Sequence, residues 1–414
     1  MQEALFSQAL GLVHPWGVHS VKLDVARKRI DLYVAWSAHS AACPACGAAD
    51  QKVHDKRLRK WRHLDFFQFE AHVHCELPRI DCLACNKTTQ LQVPWAREGS
   101  HFTLMFEAFA LTLAREMPVA ACARILRCWS NAVWRQIDAH IAMARAKENY
   151  ADVKVIGIDE TACARGHDYI TLVHDLEESK LIYATPGKDS ATIQRFCEDL
   201  KTHQGKPEQI EVVCMDMSKA FIQGAAKHLP DAAVAFDRFH VIQMANKAVD
   251  AVRREEARSE GWLKKTRWCW LKDKTQWTAK EQEKMSWLPN SRLKTARAWR
   301  IKEALRDIYA LKASVADTAQ ALKKWLHWAQ RSQLVPLKEL ASSIKQHWAG
   351  IIKAFEASHL HNGYVEAVNS LVQAAKAKAR GYGTAKHFIA MCFLIAGKLT
   401  HLPANPLQKA SPLP

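Results

Sequence analysis

The stretch Val153-Lys-Val-Ile-Gly-Ile-Asp159-Glu160 decides how this chain is read, because it is a short apolar run that ends in two carboxylates. A buried strand of this kind delivers its last aspartate to the sheet edge, where the side chain leaves the core. Two further runs follow at 169–173 and 181–184, parted by the charged turn 175–180, and their spacing predicts a three-strand meander. Beyond it the pattern becomes α/β: a helix from 191, a strand over 211–215, a helix over 218–228 and a strand over 232–236. The first of these later strands ends Val-Val-Cys-Met-Asp216, and the second runs into Phe236-Asp237-Arg-Phe-His240. The rest, to Leu399, reads helical with breaks near Pro289 and Pro336. Within it, Asn362-Gly-Tyr-Val-Glu366-Ala-Val-Asn369 places Glu366 and Asn369 on one helix face, followed by Lys376, Lys378 and Arg380, which are expected to contact DNA.

Two carboxylates at neighbouring strand ends and a third from a helix can hold two divalent cations about 3.5–4 Å apart, the clamp used for in-line attack at phosphorus. Asp159, Asp216 and Glu366 are the three candidates, and carboxylate oxygens suit Mg²⁺ or Mn²⁺. Asp237 and His240 follow the next strand, where they either join the metal site or cap and pack the next helix.

Two cysteine pairs precede all of this. Cys43-Pro-Ala-Cys46 and Cys82-Leu-Ala-Cys85 are CxxC knuckles, and two such knuckles supply the four sulfurs of a closed, structural Zn²⁺ site. Short strands in the interval between them would bring the pairs together. His72, His74 and Cys75 lie close enough in sequence to replace a ligand, with both histidines on one strand face. The other cysteines among the twelve have no ligand spacing and read as core.

The first hundred residues alternate apolar and polar positions in short runs, at 21–25, 30–35 and 67–73. From 102 to about 147 the spacing turns helical. There, 119–126, a break at 127–129 and a helix starting at Ser130 read as helix, turn, helix. Asn131, Arg135 and Gln136 are expected to face outward near the start of the second helix, and these side chains suit adenine and guanine edges.

Charge agrees with a polyanion partner. The 414 residues carry a net +17, and 251–360 alone hold 23 basic against 11 acidic residues, with nine of the 15 tryptophans. Such a field draws nucleic acid. Lys264 and Lys265 are the expected backbone contacts there, while most of those tryptophans are expected in the core. No apolar run is long enough to span a membrane, and the N-terminus does not read as a signal peptide. With its CxxC cysteines, the chain is expected in the cytoplasm, on the nucleoid.

In this order the motifs resemble the DDE transposases of bacterial insertion sequences, in the ISL-three family: doubled CxxC, helix-turn-helix, Gly-Ile-Asp159-Glu, Met-Asp216-Met-Ser-Lys-Ala, Phe-Asp237-Arg-Phe-His240, Gly-Tyr-Val-Glu366-Ala-Val-Asn369 and Arg380-Gly-Tyr-Gly. The resemblance spans about 12–397. It implies a multidomain α+β and α/β chain: a zinc-binding β-rich module (1–100), a helix-turn-helix domain (101–150), an RNase H-like catalytic core (151–240) interrupted by an all-helical insertion (241–361), the final catalytic helix with Glu366 (362–400) and a tail (401–414). It further implies Asp159, Asp216 and Glu366 as metal ligands, and double-stranded DNA as substrate, with the terminal inverted repeats bound by a homodimer on paired ends. The implied chemistry is cleavage at the element end, freeing a 3′-OH, then in-line attack of that hydroxyl on target DNA. One position departs: a basic residue often follows the glutamate by seven places, and here it is Gln373. A junction-cutting nuclease would not need the N-terminal modules, and a DNA-binding regulator without catalysis would not need three placed acids.

Overall fold

The computed structural model describes residues 2–163, 168–356 and 363–407. The chain forms two compact units, Met1–Arg145 with Leu399–Pro414, and Ala146–Lys398.

The first unit opens with α1 (Gln2–Ala9) and then builds a sheet from β1 (Trp16–Asp24), β2 (Arg29–Trp36), β3 (Ser40–Ala41), β4 (Gln51–Arg62) and β5 (Glu70–Cys82). The strand order is β1-β2-β5-β4-β3, with β6 (Lys87–Gln90) paired to the end of β5. Only β2 and β5 run parallel. Alternate residues of β5 (Val73, Cys75, Leu77) enter a core with Trp16, Val34, Trp61 and Trp95, and Trp95 meets Trp16 and Trp61 edge-on at 5.1 and 5.6 Å. The run expected as a strand over 67–73 begins instead with a turn: Phe66 and Phe69 bond each other, Phe67 has φ 52°, and β5 starts at Glu70. Three helices complete the unit, α2 (Leu104–Glu116), α3 (Val119–Ile125) and α4 (Ser130–Arg145). Thr103 caps α2 by accepting the Phe106 N–H at 3.3 Å, and Arg127 at φ 52° makes the sharp turn between α3 and α4.

The second unit contains a five-stranded sheet in the order β11-β10-β7-β8-β9. β7 (Val155–Ala162), β8 (Tyr169–Asp175) and β9 (Lys180–Pro186) form the antiparallel meander. Through α5 (Ala191–Thr202) the chain returns to β10 (Val212–Met215), and through α6 (Lys219–His228) to β11 (Ala233–Phe236), both parallel in the half that starts at β7. One face of the sheet (Ile156, Ile158, Val213, Met215) packs against Ile193 and Phe196 of α5 and Phe221 of α6. The other face is lined by smaller residues, Val155, Cys214 and Ala235.

A helical stretch follows: α7 (Arg238–Glu256), α8 (Arg267–Leu271), α9 (Ala279–Trp287), α10 (Lys294–Ala310), α11 (Val315–Gln330), α12 (Val335–Gln346) and α13 (Trp348–Glu356). Its helices do not form an apolar unit of their own. One continuous core runs from the sheet into Val241, Val249, Ile301, Leu337 and Ile351. Gly350 of α13 sits so close to β11 that a Cβ would lie 2.5 Å from the Phe236 ring. The break expected near Pro336 falls between Gln330 and Val335, and Pro336 itself occupies the first turn of α12, where its missing N–H costs nothing. Trp270 and Trp325 are core, whereas Trp262, Trp268, Trp287 and Trp328 are exposed. The chain ends its described course with α14 (Gly363–Lys378), α15 (Ala385–Ala396) and residues up to 407.

α14 approaches β7 at Gly157, where a Cβ would stand 2.8 Å from Leu176 Cδ2 and 3.1 Å from Val365 Cγ2. Gly157→Val should therefore push α14 off the strand, at roughly 1–3 kcal/mol of overpacking. Chemical denaturation should show that loss. Wild-type stability in this variant would mean that α14 is not seated on Gly157.

Candidate functional site

Strand register brings the candidate acids together. Cys214 pairs with Gly157, and Met215 pairs with Phe236. Continued by two residues and by one, these registers set Asp216 beside Asp159 and Asp237 beside Asp216. Neighbouring strands are about 4.8 Å apart, so three aspartates stand abreast across β7, β10 and β11 on one sheet face. Asp159, Asp216, Asp237 and His240 line a single cleft with Gly157 and Val365. Glu160, one residue on, belongs to the opposite face of the strand, and lies 3.6 Å from Lys188.

The row is held by local hydrogen bonds. Asp159 Oδ1 accepts its neighbour's N–H, from Glu160, at 2.7 Å. Asp216 Oδ1 accepts the Ser218 N–H at 3.0 Å as the chain turns into α6. Asp237 caps α7 by accepting the Phe239 N–H at 2.9 Å, with His240 Nε2 4.0 Å from its other oxygen. Asp237 thus caps a helix and also lines the cleft. Burial pushes the Asp159 carboxyl up to about 6, with the charges of Asp237 and Asp216 adding to the rise and the Glu160 N–H and His240 opposing it.

α14 lies along β7 with one face in contact. Val365 sits over Gly157, Asn369 Nδ2 donates to Asp159 Oδ2, Gln373 Nε2 donates to Thr161 Oγ1, and Lys376 Nζ donates to the Ala162 carbonyl at 2.6 Å. The departure at Gln373 therefore has a structural use: the side chain ties the helix to the strand. Lys376, expected to contact DNA, is spent on the same task, while Lys378 and Arg380 are exposed. Glu366 follows Val365 in the first turn of α14; its side chain, like His361 and Asn362, lies outside the described residues. Asn369 Oδ1 is buried without a hydrogen-bond partner. The carboxylates of Asp159 and Asp216, with Asp237 alongside and the unsatisfied Asn369 acceptor beside them, form a set of hard oxygens that fits a hydrated Mg²⁺ or Mn²⁺.

The cysteine cluster is a second centre. β4 and β5 form an antiparallel hairpin in which Val53 pairs with Ile80, so the long interval between the knuckles folds back on itself. All four Sγ atoms lie within 4.8 Å of one another, with Cys43–Cys85 at 3.8 Å and Cys46–Cys82 at 3.5 Å. Four sulfurs 2.3 Å from one ion in a tetrahedron stand about 3.8 Å apart, so the cluster fits Zn²⁺. Burial and the neighbouring thiols push Cys85 up to about 12. For Cys43 burial acts in the same direction, but the N–H groups of Ala45 and Cys46 outweigh it and lower the thiol to about 6. His72, His74 and Cys75 do not join: eight strand residues separate His74 from Cys82, about 26 Å. His74 instead bonds Asp31 at 2.5 Å and stacks on Tyr33, His72 is 3.8 Å from Glu70, and Cys75 is core.

On α4, Asn131 and Arg135 are exposed, and Arg135 Nε donates to the Asn131 carbonyl at 3.2 Å. Gln136 does not face outward. It is 1% exposed, because it falls on the buried stripe Val133, Gln136, Ile137, His140 and Ile141. Lys264 and Lys265 are exposed on the turn Gly261–Thr266.

Two outcomes follow from the two centres. Purified protein should hold about one zinc per chain, and Cys82→Ser should lose it; metal analysis that finds none in reduced wild-type protein contradicts the site. Asp159 favours its protonated form in the fold, so its contribution to stability is complete below its ordinary value of 3.8 and is lost as pH rises to about 6. Without Mg²⁺, Asp159→Asn should therefore raise the melting temperature at pH 7–8 and change little at pH 4. An equal shift at both values would show that Asp159 carries no such penalty.

Comparison with known proteins agrees with this arrangement of parts. The DDE family model of ISL3 type, described as a transposase, matches residues 156–392. The helix-turn-helix domain of transposase family ISL3 matches 91–141, and the zinc-finger of transposase IS204/IS1001/IS1096/IS1165 matches 39–85. Among curated proteins, the chain is similar to the transposase for insertion sequence element IS1557 of Mycobacterium tuberculosis, 29% identical over 404 residues that cover 88% of this chain and 89% of that one. The transposase for insertion sequence element IS1001 of Bordetella parapertussis is 22% identical over 400 residues, covering 94% and 97%. The chain belongs to the ISL3 family of insertion-sequence transposases.

Proposed function

We propose that this protein binds the terminal inverted repeats of an insertion sequence and carries out strand cleavage and strand transfer in the cleft beneath α14. The observation that carries this reading is the row Asp159, Asp216 and Asp237 on one face of a sheet whose order, meander first and then two parallel strands, is that of an RNase H-like core. On this reading the helices from α7 to α13 are an insertion between the sheet and its last catalytic helix.

Asp159, Asp216 and Glu366 are the proposed metal ligands. Mg²⁺ or Mn²⁺ bound there would supply the charge that activates an attacking oxygen and steadies a leaving one at phosphorus. The chain's own part is placement. Asn369 holds one Asp159 oxygen in a fixed direction and is a positioning residue, as are the backbone N–H groups that hold Asp216 and Asp237. His240 sets a basic group against Asp237 and moderates the crowding of carboxylates. No side-chain nucleophile is required, since water and then the freed 3′-OH are the attacking groups. Asn131 and Arg135 would read base edges, with Lys264, Lys265, Lys378 and Arg380 on the backbone of element or target DNA. Two paired ends call for two copies of the chain. No helix among the described residues is long and apolar enough to cross a membrane.

Asp159→Asn, Asp216→Asn and Glu366→Gln should each abolish Mg²⁺-dependent cleavage of labelled element ends while end binding persists. Arg135→Ala should leave cleavage chemistry intact but cost about 1–3 kcal/mol of discrimination between ends and random duplex. Cleavage by any of the three carboxylate variants at the wild-type rate would remove that residue from the site.

A further inference from the structure

The most basic strand of the chain lies outside both centres. β4 carries six Lys and Arg residues among twelve, against the single acid Asp55. Five consecutive residues, Lys56, Arg57, Leu58, Arg59 and Lys60, are exposed. Asp55 is taken by Arg79, and none of Lys56, Arg57, Arg59 and Lys60 forms an ion pair among the described residues. β3 covers the first two residues of β4 and a bridge to Phe102 covers its last, so among the described residues the basic stretch between them is a free sheet edge. Burial and the nearby Arg29 hold Lys60 below its ordinary value, with the charges of Asp31 and Glu70 opposing the shift.

The surroundings of this edge suit an extended polyanion. Arg57 and Arg59 lie opposite Leu77 and Cys75 of β5, on the core side, where long stems can cover apolar surface while the guanidinium groups stay in water. A groove of about 510 Å³ beside Arg59 is lined by Arg59, Lys60, Arg97, His101 and Ala45 of the first cysteine knuckle, with Glu98 the one acid of its lining. Residues two apart on a strand repeat about every 6.7 Å, which suits successive phosphates along one DNA strand. The strand is also tied to the reading helix. Arg62, its last residue, donates its N–H to His101 and accepts from Thr103, at 2.8 and 3.0 Å. The Arg62 guanidinium pairs with Asp65, which also takes Arg127 in the turn between α3 and α4.

We propose that β4 is a separate DNA contact, in which Lys56, Arg57, Arg59 and Lys60 hold the phosphodiester backbone of duplex DNA next to the segment read by α4. The zinc knuckles and the Asp65 bridge fix the strand relative to that helix. The proposal rests on the reading of this chain as a DNA-binding transposase and adds the surface that supplies sequence-independent grip.

The test is the full-length double variant Arg57→Ala/Arg59→Ala, with zinc content and circular dichroism matched to wild type. Binding is measured by fluorescence anisotropy on an element-end duplex and on a scrambled duplex, across a salt series. Loss of two phosphate contacts should weaken both duplexes by about tenfold and flatten the slope of log Kd against log salt by about 1–2, leaving their ratio unchanged. If this variant loses zinc, Lys56→Gln/Lys60→Gln takes its place. A folded variant with the wild-type slope overturns the proposal. So does self-association at unchanged affinity, which would make the charges a guard against edge pairing. A wild-type protein that does not prefer element ends would instead break the underlying reading, and the salt slopes on scrambled DNA would still judge β4.

Discussion

Like charges held abreast are the constraint on which the rest of the second unit depends. Parallel registers across β7, β10 and β11 leave Asp159, Asp216 and Asp237 no freedom to move apart, since each follows directly from strand pairing. A flexible loop would relieve such crowding; a sheet cannot. Burial raises Asp159, the neighbouring aspartate charges add to the rise, and the row of oxygens suits a divalent cation. Burying Asp159 costs stability at this point, while the strand pairing fixes the oxygens in place.

The other features of the unit serve that row. Small residues at Gly157, Cys214 and Ala235 allow α14 to lie close to the sheet, and Asn369 and Gln373 fasten it along β7. The long helical stretch between β11 and α14 shares the sheet's core, which places its stability and that of the sheet in one cooperative unit. In the first unit the corresponding constraint is the β4–β5 hairpin, which closes four sulfurs around one point and leaves a charged edge exposed.

Legibility in the sequence followed burial. The strands β7 to β11 are apolar runs bounded by charge, and the aspartates at their ends could be read because a buried strand must shed its polar residues at the edge. The two knuckles were equally legible, since CxxC spacing is a local geometric requirement. β4 was not: it is mostly solvent-facing, its pattern is set by charge, and its pairing depends on β5 across a turn that hydropathy does not mark. Gln136 misled for a related reason. Its chemistry suits a base edge, but its position falls on the apolar stripe, and position prevails. Lys376 is a basic residue that the sequence offers to DNA, whereas its amine reaches a backbone carbonyl only because α14 runs along β7, a tertiary fact. For the continuity of the helical stretch with the sheet core, no local signal exists.

The most direct test of the central claim is to locate a cation crystallographically. Crystals of the protein on element-end DNA, grown with Mn²⁺ and measured at the manganese edge, should show an anomalous peak between Asp159 and Asp216. A Glu366 oxygen should lie within about 2.2 Å of manganese, a length expected for a hard cation on carboxylate. A peak bound by Asp237 in place of Glu366, or no peak in the cleft while manganese sits elsewhere on the protein, would contradict the account.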